Sequence, residues 1–162
     1  MNFEILLLIS LLMIAIGAGF MVLSIVKTQT IVECYPGQLN QAFMNILANA
    51  IDAIDELSFK QNPEQVQGNS SQITIRTSIV NQFIEIAISD NGCGIPESIQ
   101  RQIFNPFFTT KPIGKGTGMG LSISYQIICD RHHGQLNFSS IPGKRTEFAI
   151  QIPIQRQMSD RK

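Results

Sequence analysis

The chain has no excess of charge: twelve Lys and Arg stand against twelve Asp and Glu, and the formal net charge is zero. Without a basic surplus, nucleic acid is not an expected partner. Its three cysteines, Cys34, Cys93 and Cys129, have neither metal-ligand nor redox spacing and read as reduced thiols. Internal repeats are missing, which sets aside solenoid arrays. A glycine run, Gly116-Thr117-Gly118-Met119-Gly120, is present, but no G-K-[ST] closes it and no strand immediately precedes it. It is therefore neither a Walker loop nor a Rossmann fingerprint. Histidine is scarce. His132 and His133 lie at the end of a helical pattern, where dipole and capping effects explain them.

Apolar residues are abundant at the start. Residues 5–26 are continuously apolar apart from Ser10 and Ser24. As a helix of about 1.5 Å per residue, this run reaches roughly 33 Å, enough to span a bilayer. A signal peptide would want a positive leading region, yet only Glu4 is charged before the run. Lys27 behind it argues for a cytoplasmic C-terminal side. The expectation is a transmembrane segment at 1–27, one domain at 28–154 and a polar tail at 155–162. The protein would then be a single-pass protein of the cell membrane, held through residues 5–26.

After that run, the pattern predicts a short strand near 31–34 and an amphipathic helix over 37–57. Leu39, Phe43, Ile46, Ala50, Ile54 and Leu57 form its buried stripe. A polar loop follows at 58–71. Strands at 72–80 and 82–89 point Ile73, Ile75, Ile79 and Ile84, Ile86, Ile88 inward. A short helix begins near Pro96, and two last strands lie near 135–140 and 146–152. Helices on one face of a mixed sheet make a two-layer α+β sandwich.

Four blocks carry chemistry. Asn45 and Asn49 are four apart on one flank of the first helix, continued by Asp52 and Glu56. Asn is a mediocre helix former, so a stacked pair asks for a reason. An amide oxygen for Mg²⁺ and a polar partner for water or phosphate would supply one; a solvated face with two surface amides is the plain alternative. Asp90, Gly92 and Gly94 follow a strand. A carboxylate there only accepts hydrogen bonds, so it suits the exocyclic amine of adenine and opposes the carbonyl of guanine; an ordinary Asp-Gly turn explains only one of the two glycines. Residues 105–115 carry Lys111 and Lys115 with little apolar periodicity, as a lid would, or an ordinary surface loop. Phe104, Phe107 and Phe108 would anchor that loop. Last, Gly116, Thr117, Gly118, Gly120 and Leu121 open a helix, where free backbone N–H groups favour phosphate.

In this order the blocks resemble the catalytic and ATP-binding domain of two-component sensor histidine kinases, in the superfamily shared with DNA gyrase, Hsp90 and MutL. The resemblance covers about residues 32–154. It implies the Bergerat-type sandwich, here preceded by one transmembrane helix, with ATP and Mg²⁺ as cofactors. Asn49 falls on the family's metal-ligating Asn, and Asp90 on its adenine reader. The glycines, Thr117, Lys111 and Lys115 fall in the phosphate-binding segment. Asn45 stands where the ATP-hydrolysing branch places a glutamate base, and an amide cannot take that proton. The kinase branch is therefore favoured over an ATPase, with Asn45 a candidate catalytic residue for polar positioning only. Met119 replaces a usual Leu, and Arg145 stands where a second glycine is common. No H-[ED]-x-x-[NT]-P phosphoacceptor motif is present. The resemblance implies a protein-histidine kinase that transfers the γ-phosphate of ATP to a histidine on a hairpin or kinase in trans, and then a response regulator as partner. The alternative is a truncated, non-catalytic ATP-binding module that docks on a full-length kinase.

Overall fold

A computed structural model describes residues 2–4, 21–26, 31–60, 71–112 and 114–154 of the chain. Strands β1 (Asn2–Glu4), β2 (Met21–Val26) and β3 (Ile31–Glu33) precede helix α1 (Pro36–Lys60). Then come β4 (Gln72–Val80), β5 (Phe83–Asp90), the short α2 (Glu97–Gln100), α3 (Gly120–Tyr125) with a π-helical turn at Gln126–Arg131, β6 (Gln135–Ile141) and β7 (Arg145–Pro153). Five strands form one sheet in the order β2-β4-β5-β7-β6, and β1 pairs with β3. All pairs are antiparallel except β2 with β4.

Helix α1 forms because its apolar residues recur at three- and four-residue steps. Leu39, Phe43, Ile46, Ala50 and Ile54 are all buried, as the spacing predicts, whereas Leu57, expected with them, is only half-buried. They cover one sheet face made by Ile73 and Ile75 of β4, Ile84, Ile86 and Ile88 of β5, and Phe148, Ile150 and Ile152 of β7. The register sets Ile75 opposite Ile88 and Ile88 opposite Phe148, so the inward side chains lie in rows. The other face is polar: Arg76 pairs with Glu147, and Gln151 donates to Glu85. One expected inward residue differs. Ile79 is 46% exposed, and Thr77 is the last buried residue on that side of β4.

The expected membrane-spanning helix is corrected. Residues 5–20 lie outside the described residues, but Met21–Val26 form a strand, paired in parallel with β4 from Met21 opposite Gln72 to Val26 opposite Thr77. Among the described residues no helix is long and apolar enough to cross a membrane. The single-pass location, the membrane contact through 5–26 and the cytoplasmic placement deduced from them fall with it. The physical reason is that an apolar run also suits a strand, and a parallel strand reads as a continuous apolar stretch. The tail at 155–162 lies outside the described residues.

Candidate functional site

One flank of α1 is a rail on which three loops dock. At its N-terminal part, Asn45 Nδ2 donates to the Gly120 carbonyl at 3.0 Å and to Ser124 Oγ at 3.3 Å. Two turns later, the Ala53 carbonyl accepts the Cys93 N–H at 3.0 Å. Between them, Asp52 pairs with Lys111. Asn49 sits in the middle, half-buried, and its amide makes no hydrogen bond with the described residues. An unspent amide inside a row of engaged groups could serve as an oxygen ligand. No cluster of three or more His, Cys, Asp or Glu among the described residues could hold a metal alone. That donor set fits Mg²⁺, which takes few protein oxygens and shares the rest with phosphates and water.

Asp90 ends β5 and is only 5% exposed. Its Oδ1 accepts the Gly92 N–H at 2.9 Å. Burial pushes its carboxyl up from 3.8 to about 6, against hydrogen bonds from the backbone N–H groups of Gly92, Thr146 and Asp90 itself. The following loop is held tightly on both sides. A Cβ on Gly92 would lie 2.6 Å from the Ala53 carbonyl carbon. Gly94 has φ +67°, and a Cβ there would lie 2.3 Å from the Ile141 carbonyl oxygen. Glycine is thus required at both places. The Gly143 N–H, at the β6–β7 turn, closes on the Cys93 carbonyl at 2.7 Å. Ser140 Oγ accepts the Ile95 N–H and lies 3.0 Å from Thr146 Oγ1. Gly143 carries the positive φ of this turn, and Arg145 has none, so the missing second glycine costs no backbone strain.

The segment between the two glycine loops folds onto the rail. Phe104 stacks with Tyr125, Phe138 and Phe148 at centroid distances of 5.5, 5.9 and 6.5 Å, anchoring it to the core. Phe108 is half-buried, whereas Phe107 is 77% exposed with φ +67°. Gly118 also has a positive φ, and a Cβ there would meet the Phe107 backbone at 2.4 Å. Gly116 lies against Thr109 and Lys111. Thr117 Oγ1 accepts the Met119 N–H at 3.3 Å. Lys115 is exposed at a turn, and Leu121 packs against the core rather than outward.

The structure therefore brings Gly92, Lys111 and Gly120 onto the α1 flank that carries Asn45 and Asn49, with Asp90 joined to it through Gly92; Gly94 lies instead against Ile141, Gly116 against Thr109 and Lys111, and Gly118 against Phe107. It sets His132 apart from them. That ring is buried, its Nδ1 donates to the Ile127 carbonyl at 2.7 Å, and its Nε2 accepts the Tyr35 N–H at 3.0 Å. It completes the π turn, whose Ile128 carbonyl takes the Gly134 N–H. Sequence reasoning missed Thr146, Ser140 and Ser124. The signal for Thr146 was a polar residue in the inward register of an otherwise apolar strand, with Phe148, Ile150 and Ile152.

Residues 34–156 match the model of the histidine kinase-, DNA gyrase B- and HSP90-like ATPase family. Sporulation kinase E of Bacillus subtilis (strain 168) is 34% identical over 131 residues, covering 81% of this chain and 16% of that protein. The signal transduction histidine-protein kinase AtoS of Escherichia coli (strain K12) is 40% identical over 119 residues, covering 74% and 17%. The chain thus spans about a sixth of the length of these relatives. Among solved structures, the catalytic domain of histidine kinase ThkA superposes with a TM-score of 0.76 at 26% identity, covering 94% of both chains. The chain belongs to the histidine kinase-, DNA gyrase B- and HSP90-like ATPase family, and its domain is a histidine-kinase ATP-binding catalytic domain.

Proposed function

We propose that the domain binds Mg²⁺·ATP along the α1 rail and presents the γ-phosphate to a phosphoacceptor histidine from outside the domain. The observation that carries this reading is the unspent Asn49 amide, set between the Asp90 loop and the glycine segment on one helix flank. Asp90 accepts from the adenine amine, and Gly92 and Gly94 let the flat base pass close. Asn49 gives the metal an oxygen ligand. Lys111, Lys115, Thr117 and the glycines at 116, 118 and 120 hold phosphate oxygens. The metal supplies charge neutralisation at the phosphates, and the chain's own part is positioning. Asn45 cannot act as a base, because an amide has no proton affinity to offer and its N–H groups are spent on Gly120 and Ser124. His132 is an unsuitable acceptor, since both ring nitrogens are engaged inside the fold.

A response regulator is the proposed final partner: a structural neighbour, histidine kinase ThkA, has been crystallised in complex with the response regulator TrrA. The test is labelling by [γ-³²P]ATP on alkaline gels, with and without an added phosphoacceptor hairpin. Label on the hairpin is expected. Label on this chain that is lost in His132→Ala or His133→Ala would overturn the reading. ATP binding without any label would assign the domain a binding role alone.

A further inference from the structure

We infer that Ser124 is a positioning residue for the phosphate-binding segment at 116–120, acting through Asn45. The inference rests on the ATP-binding reading above and adds a residue to it. Ser124 is fully buried on α3, with none of its surface exposed. A buried serine inside a helix ordinarily satisfies itself on the carbonyl four residues back. Ser124 does so, donating to the Gly120 carbonyl at 2.9 Å, with the Ala42 carbonyl of α1 at 3.4 Å. It does more, because its oxygen also accepts Asn45 Nδ2 at 3.3 Å, a bond between residues 79 apart in sequence.

The result is a closed set of three groups. Asn45 donates to both Gly120 and Ser124, and Ser124 donates to Gly120. A carbonyl oxygen only accepts, so the Asn45 amide must present its nitrogen inward and its Oδ1 away from Gly120. Ser124 is the second anchor of that orientation. Gly120 is the last glycine of the segment, and the distance from its virtual Cβ to the Asn45 side chain, 3.6 Å, is ordinary contact. Its place is therefore set by these bonds rather than by crowding. Losing the Ser124 hydroxyl leaves one Asn45 N–H without its acceptor and loosens Gly120 against α1. Nothing in the set reaches Asp90, whose loop is held at Ala53 and at the β6–β7 turn.

The test is a pair of affinities measured by calorimetry on the full chain with Ser124→Ala. Loss of one neutral hydrogen bond predicts an ATP affinity lower by roughly three- to tenfold. Adenosine, which lacks the phosphates, should bind as in the wild type. A merely structural role would weaken both ligands in parallel, and that result would overturn the assignment, as would an unchanged ATP affinity. A double-mutant cycle with Asn45→Ala gives a second readout. The double variant should bind ATP no more weakly than Asn45→Ala alone, whereas full additivity would show that Ser124 does not act through Asn45. Failure of the underlying reading looks different: wild-type protein that binds no ATP.

Discussion

The buried Asp90 makes base recognition depend on pH in a calculable way. Its carboxyl ionises at about 6 in the free protein, because burial penalises the charge more than the backbone N–H groups of Gly92, Thr146 and Asp90 favour it. The protonated carboxyl keeps a carbonyl acceptor but loses the charge-assisted bond and turns an O–H donor on the base, so the adenine amine binds the ionised form preferentially. Protons therefore compete with the nucleotide, and the apparent dissociation constant is multiplied by one plus the ratio of protonated to ionised Asp90. With a value of about 6, the penalty is about elevenfold at pH 5 and about 1.1-fold at pH 7. Stability responds with the opposite sign. The native carboxyl lies above its unfolded value, so its share of stability is fully present below pH 3.8 and is lost as pH rises through about 6. Over that window, binding improves while the Asp90 share of stability declines. Adenosine is the ligand for the assay, since it has no phosphate to titrate. Calorimetric titrations from pH 5 to pH 8 should show the tenfold change for wild type and none for Asp90→Asn. An adenosine affinity that is flat between pH 5 and pH 7 would refute the reasoning. So would the same slope in the Asn variant.

Three other outcomes are expected. Thr77 Oγ1 is buried and has no hydrogen-bond partner among the described residues, so Thr77→Val, which keeps the shape, should stabilise the fold by about 1 kcal/mol in denaturant titrations. Asn49→Ala should reduce the dependence of ATP binding on Mg²⁺ while leaving adenosine binding unchanged; coincident metal titrations would dismiss Asn49 as the ligand. Asp52→Asn removes the partner of Lys111, an exposed pair contributing about 0–1 kcal/mol, so the melting temperature should barely move. ATP affinity should rise a few-fold in that variant, because Lys111 no longer has to leave a carboxylate to reach phosphate.

The helix and the central strand were legible because burial follows period. The α1 stripe from Leu39 to Ile54 and the Ile84, Ile86 and Ile88 set of β5 are buried as their spacing requires. The same rule misplaced Ile79. Alternation gives the side of a sheet a residue occupies, not how far the covering helices reach along it. The apolar start misled for a related reason: composition alone does not distinguish a spanning helix from a parallel strand, and Met21–Val26 pair with β4. The site residues were legible as types, since Asn, Asp and Gly each break a local preference where they stand. Their couplings were not. The pairing of Lys111 with Asp52 and of Asn45 with Ser124 joins residues far apart in sequence, and no local pattern encodes such distances.

The rail itself carries a last consequence. Asn45 and Ala53 are eight residues apart, which a helix converts to about 12 Å, with Asn49 halfway between. The base end and the phosphate end are thus fixed to one rigid element at separate points, and each should fail without the other. Ser124→Ala tests the phosphate end. Gly92→Ala tests the base end, because its new Cβ would sit 2.6 Å from the Ala53 carbonyl carbon, a contact with backbone that cannot swing aside. Overpacking of this kind costs about 1–3 kcal/mol, so the Asp90 loop should be pushed off α1 and adenosine affinity should fall by roughly tenfold or more. The bonds from Asn45 to Gly120 and Ser124 lie two turns away and should survive. The ratio of ATP to adenosine affinity should then stay at its wild-type value in Gly92→Ala, whereas Ser124→Ala lowers it. A ratio that collapses in both variants would mean that α1 does not hold the two ends independently.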